Sequence, residues 1–156
     1  MKNLIKFLFA LLLFLGCKNN TLQSPGDFGD YYSSKVIDEL YVELDFKSKQ
    51  IRSLHDIKAE FRLKNISDEE VVFGFSSSCQ SAYKIKRYQN EFLDTTENLV
   101  CAAVITSIIL EPGETKTFPI SFESREDRYI KKGSYTLKAF LLENHGIEIS
   151  AAFRVQ

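Results

Sequence analysis

Strict alternation constrains this chain more than any other feature. Leu40, Val42, Leu44 and Phe46 take every second position, as do Ile57, Ala59, Phe61 and Leu63. The same step recurs at Phe118, Ile120 and Phe122, at Tyr135, Leu137, Ala139 and Leu141, and from Ile147 through Ile149, Ala151 and Phe153 to Val155. Glu43, Asp45, Glu60 and Arg62 are among the polar residues between them. Successive side chains of a strand point to opposite faces, so each segment reads as a strand with one buried and one wet face. Half-wet strands belong to antiparallel sheets, because parallel sheets are covered on both faces. From Lys35 onward no apolar stripe with helical spacing persists beyond two turns. The expected fold is all-β, an antiparallel β-sandwich of seven or eight short strands.

The connections carry their own chemistry. Asn65-Ile66-Ser67-Asp68 is a turn sequence, and it predicts a hairpin-like pairing of the strand at 57–63 with the one at 71–75. Glu111-Pro112-Gly113-Glu114 predicts a type II turn, since its third position needs a positive φ that glycine adopts without strain. Pro119 cannot donate to a ladder, which puts its strand at a sheet edge or turns that position outward. Residues 93–103 run from polar into apolar sequence and fit either a strand or one helical turn.

The start of the chain is different in kind. Lys2 and Lys6 precede an unbroken apolar run from Phe7 to Leu15, and Gly16-Cys17 follows. A transmembrane helix needs roughly 20 apolar residues, about twice this run. A short apolar core behind a basic start is the pattern of an export signal. The ending Leu13-Phe14-Leu15-Gly16-Cys17 resembles the lipobox of bacterial lipoproteins. That resemblance implies a signal peptide over 1–16, lipid on Cys17, and contact with a membrane through that lipid. Acyl chains contribute about 0.8 kcal/mol per buried methylene, so two or three of them anchor a soluble domain. The expected address is the cell envelope. Residues 17–34 are polar and aperiodic and read as a flexible tether, with Phe28, Tyr31 and Tyr32 either docked on the domain or free. The sandwich is expected over 35–156.

Of the chain's 20 basic residues, Lys2 and Lys6 fall in the leader, leaving 18 against 21 acidic ones. Such a balance has no basic footprint for nucleic acid. With Cys17 lipidated, Cys79 and Cys101 remain as a pair. Outside the cytosol a disulfide between them is the expectation, with two buried thiols or a redox pair as the alternative. The two histidines, His55 and His145, have no Cys or His at a ligand spacing, so no metal or cofactor site is expected. Neither His55-Asp56 nor Ser76 to Ser78 has the nucleophile–base–orienter spacing of a catalytic set, and no catalytic residue is assigned.

Four segments resemble the BsuPI-type domain, named for a bacterial intracellular proteinase inhibitor. They are Phe61-Arg-Leu-Lys-Asn-Ile-Ser67, Val71-Val-Phe-Gly-Phe-Ser76, Leu110-Glu-Pro-Gly-Glu-Thr-Lys-Thr-Phe118 and Gly133-Ser-Tyr-Thr-Leu137. The similarity spans about Ile57 to Val155 and implies an immunoglobulin-like sandwich with a protease as partner. It departs from the pattern at Lys84, where an acid is frequent, and in having no tryptophan. No inhibitory residue carries over. Tyr135, at a strand start after glycine, is placed to bond back across a sandwich corner.

Protein binding is the expected function, since sandwich loops commonly carry recognition and aromatic anchors dominate interface energies. The candidate contacts are Tyr88 and Phe92, within the segment bounded by the cysteines, and Tyr129 in the charged loop. Core-capping is the competing role for Phe92 and Tyr129. The alternative function is a structural or adhesive envelope lipoprotein without inhibitory activity.

Overall fold

The computed structural model describes residues 30–88, 90–122, 129–143 and 146–156. Cys17, the leader and most of the expected tether lie outside them, as does His145. Among the described residues ten antiparallel strands form three sheets. The first sheet has the order β1 (Tyr32–Ile37), β2 (Leu40–Phe46), β3 (Lys58–Asn65), β8 (Thr115–Ser121). The second has the order β10 (Glu148–Val155), β9 (Gly133–Leu141), β5 (Ser81–Arg87), β6 (Asn90–Asp94). A separate two-stranded sheet pairs β4 (Val71–Phe75) with β7 (Thr106–Leu110).

The alternation becomes the core. Leu40, Val42, Leu44 and Phe46 of β2 and Ala59, Phe61 and Leu63 of β3 turn inward. They meet Tyr135, Leu137, Ala139 and Leu141 of β9 and Ile149, Ala151, Phe153 and Val155 of β10 in one apolar cluster. Phe46 packs on Phe153, and Phe153 stacks on Tyr135, which joins the two layers. On the wet face of the first sheet Arg62 reaches Glu43, Asp45 and Glu60 at 3.0–3.5 Å, and Lys47 joins Glu60 at 2.7 Å. Tyr135 donates from its hydroxyl to the Lys131 carbonyl at 2.8 Å, closing the corner expected of it.

Two strands exceed the seven or eight expected. β1 begins at Tyr32, inside the stretch read as tether, and pairs along its length with β2. Tyr31 is buried on the core, its amide bonded to the Ala152 carbonyl. β1 leaves no alternating trace because it is an edge strand whose residues are mostly exposed. β6 likewise buries only Leu93 fully, and its register with β5 slips between Ile85 and Lys86.

The predicted pairing of the 57–63 and 71–75 strands is not formed. β3 lies between β2 and β8, while β4 pairs only with β7. The cause is Asn65, which is wholly buried at the end of β3. Its Nδ2 donates to the carbonyls of Glu69 (2.7 Å) and Leu110 (2.8 Å). Its Oδ1 accepts from the amide and hydroxyl of Ser67 (2.9 and 2.8 Å). Its backbone is tied to Gly113 and Glu114. The turn therefore leads the chain out of the first sheet instead of folding it back alongside. Gly113 has φ +78°, and the Glu114 amide bonds the Glu111 carbonyl at 2.9 Å, as the type II turn requires. β8 is an edge strand and Pro119 is exposed on it.

A buried polar group left without its partner costs about 1–3 kcal/mol. Asn65→Ala strands the carbonyls of Glu69 and Leu110 and is expected to cost about 3 kcal/mol. A thermal melt should then fall by roughly 6–12 °C; an unchanged midpoint would contradict the role given to this side chain.

Candidate functional site

The register of β5 against β9 sets the two ends of the domain. Ser81 faces Leu141 at one end and Lys86 faces Thr136 near the other. Cys79 and Cys101 are bonded at the Ser81–Leu141 end, with Cα atoms 5.5 Å apart. Tyr88 follows β5 at the opposite end. At about 3.3 Å per residue, the strand separates it from the disulfide by more than 20 Å.

The aromatic candidates do not form one surface with the disulfide. Tyr88 is exposed, with φ +57° at the β5–β6 connection, and the Arg87 guanidinium lies over its ring. Tyr129 is exposed too, so it does not cap the core. Phe92 is half-buried and meets Tyr135 edge-on at 5.7 Å, which commits it to the core. Near the Tyr88 end Gly133, at φ +143°, packs so closely that a Cβ would sit 3.1 Å from Arg87 Nη2. A cleft of about 830 Å³ is also found there, lined by Tyr31, Lys49, Lys132, Gly133, Arg154 and Val155 among others.

At the disulfide end the structure exposes the apolar run whose sequence fits a strand or a helical turn. Leu99, Val100, Val104 and Ile105 all stand in solvent, Val100 almost completely (98% exposed), and Ala102 and Ala103 lie between them, exposed as well. Seven consecutive residues thus carry neither charge nor aromatic ring, and six of the seven are exposed. Contiguous exposed apolar surface of this kind marks interaction sites in soluble domains.

This segment is held in place from both sides. Upstream, a 3-10 turn over Thr95–Asn98 is capped by Asp94, which accepts from the amide (2.9 Å) and hydroxyl (2.6 Å) of Thr96. The Thr95 hydroxyl takes the Tyr83 amide and gives to the Tyr83 carbonyl, at 3.0 and 2.7 Å. Lys84 pairs with Asp94 at 2.6 Å. Burial works to raise the Asp94 carboxyl, but the Lys84 ammonium and the Thr96 donors outweigh it and hold it below its ordinary value.

Downstream, Cys101 is covalently tied to Cys79. Ala102 exchanges two bonds with Ser78, receiving the Ser78 amide at its carbonyl (3.0 Å) and donating its amide to Oγ (2.9 Å). Thr106 Oγ1 then donates to the Ser77 carbonyl at 2.7 Å where β7 begins. The other polar candidates are occupied structurally. His55 Nδ1 lies 3.2 Å from the Phe122 carbonyl, Asp56 accepts from Arg52 and Ser53, and Ser76 is bonded to Glu143 through amide and hydroxyl.

Opening the disulfide by a Cys79→Ser/Cys101→Ser double substitution should cost on the order of 3 kcal/mol, from the 22-residue separation it closes. Urea unfolding measures this. An unshifted midpoint would mean that the Ser78 bonds hold the loop unaided.

No curated protein matches the chain. The family model for BsuPI, the intracellular proteinase inhibitor, matches residues 41–146, from β2 to the turn before β10 and including the whole disulfide-bounded loop. The chain belongs to the BsuPI family of intracellular proteinase inhibitors.

Proposed function

We propose that this protein is a proteinase-inhibitor-like binding module displayed on the bacterial cell envelope, with residues 99–105 as its contact loop. The observation that carries this reading is the apolar, exposed loop fixed by the Cys79–Cys101 bond and by Ser78. Fixing a binding segment in advance removes much of the ordering cost of association. An exposed apolar segment of this kind suits an apolar cleft, and family membership supplies the class of partner, a protease. Tyr88 and Tyr129, at the other end, are outside this contact.

The envelope address is part of the same proposal. Its supports are the basic-then-apolar leader ending in Gly16-Cys17 and a disulfide of the kind that persists in oxidising compartments. The family's name says intracellular, so an exported member puts the same fold to work in another compartment. Geometry favours display. Tyr31, where the chain enters the sandwich, lines the cleft at the Gly133 and Val155 end. A lipid on Cys17 would join the domain through the end where Tyr31 sits, and the contact loop lies at the other end.

Full-length protein, exported by a bacterial host and purified in mild detergent with its disulfide intact, should inhibit a member of a broad protease panel. The Cys79→Ser/Cys101→Ser variant should inhibit at least about tenfold less well, through the lost preorganisation. Inhibition of no protease would leave the module as a structural or adhesive lipoprotein. Intact-mass measurement of the same material should show a chain beginning at an acylated Cys17. A retained Met1 with an unmodified Cys17 would refute the anchor.

A further inference from the structure

The loop names its partner more narrowly than family membership does. Val100 is 98% exposed and follows Leu99 at 38%, so its side chain stands clear of the surface; Ile105, at 87%, lies at the far end of the loop where β7 begins. Its neighbours are fixed. Leu99 leaves the 3-10 turn with extended backbone (φ −68°, ψ 125°), and Cys101 is bonded to Cys79. Among the described residues, neither the amide nor the carbonyl of Val100 has a partner within the fold. A residue with an extended predecessor, free backbone groups, a projecting side chain and a pinned successor is shaped to lie along a substrate cleft.

Resting on the inhibitory reading above, we propose that Val100 fills the primary specificity pocket of the target, a protease that selects small aliphatic residues there. The chemistry excludes the other common pockets. A pocket for basic residues holds a buried carboxylate, which valine would leave desolvated and unpaired. A deep aromatic slot would be left partly empty, losing the contacts that give such pockets their affinity. A shallow pocket of the elastase type is filled by a branched C3 side chain. Leu99 to Ile105 contains no Lys, Arg, Phe, Tyr or Trp that could serve instead.

The test uses full-length protein with the disulfide intact against three proteases, of aliphatic, aromatic and basic primary specificity. Wild type should inhibit the aliphatic-specific enzyme best. Val100→Lys should weaken that inhibition by about 100-fold or more, because an ammonium enters a small apolar pocket. The same variant should gain inhibition of the basic-specific enzyme. Tyr88→Ala, at the far end of the domain, should change neither. The side chain of Val100 is solvated, so melting temperatures of its variants should match wild type and exclude misfolding as the cause.

If an inhibited protease is insensitive to Val100→Lys and Val100→Asp, within about threefold, the inference fails while the inhibitory reading stands. Preferential inhibition of the aromatic- or basic-specific enzyme has the same meaning. If wild type inhibits none of the three, nor any other protease, both fall together.

Discussion

One side-chain amide arranges the parts of this domain. Asn65 sits in an apolar interior where each unmet polar group carries a penalty of about 1–3 kcal/mol, and every hydrogen-bonding group it has is matched. Its partners come from three connections: the approach to β4, the end of β7 and the turn into β8. Those bonds tie both strands of the β4–β7 sheet to the end of β3. The apolar loop enters β7 from the opposite end, about 16 Å away along five residues of strand. The position of the exposed apolar loop thus depends on a polar group that never touches it.

The two ends of the sandwich have separate duties. One receives the chain at Tyr31 and carries the Lys49, Lys132 and Arg154 cluster with the exposed Tyr88 and Tyr129. The other carries the disulfide, the Ser78 clamp and the apolar crest. Between them β9 and β10, nine and eight residues long and buried at alternate positions, act as a stiff strut. The bonds that fix the loop spare Val100 itself. They act on its neighbours, Thr95 and Asp94 upstream and Cys101 and Ala102 downstream, which keeps the crest available and yet shaped.

Much of the architecture is legible in the residues, and what is not has identifiable causes. The strands with one buried face announce themselves by period two, and the turn at Pro112-Gly113 and the corner tyrosine by their residue types. Edge strands do not, because β1 is specified by its backbone pairing with β2 and buries too little to leave a pattern. A turn sequence at 65–68 reports only that the chain reverses, whereas the buried state of Asn65 decides which sheet the next strand joins. The cysteine pair could be read from sequence; the surface beside it could not. An aperiodic run such as Leu99 to Ile105 looks like core, and only the positions of Cys79, Ser78 and Thr95 reveal that it faces water. Aromatic content points to Tyr88 and Phe92; the first is exposed at the end opposite the disulfide and the second is packed on Tyr135.

Asn65 also stands in an Asn-x-Ser triplet, the acceptor that eukaryotic secretory hosts modify with sugar. In the folded domain its Nδ2 is enclosed and both its hydrogens are engaged, so a glycan could be attached only before folding. Once attached, the bulky polar group could not be enclosed and would leave Glu69 and Leu110 short of a donor. Production of this domain through a yeast or mammalian secretion route would therefore divide into unmodified native chains and glycosylated chains barred from the native state.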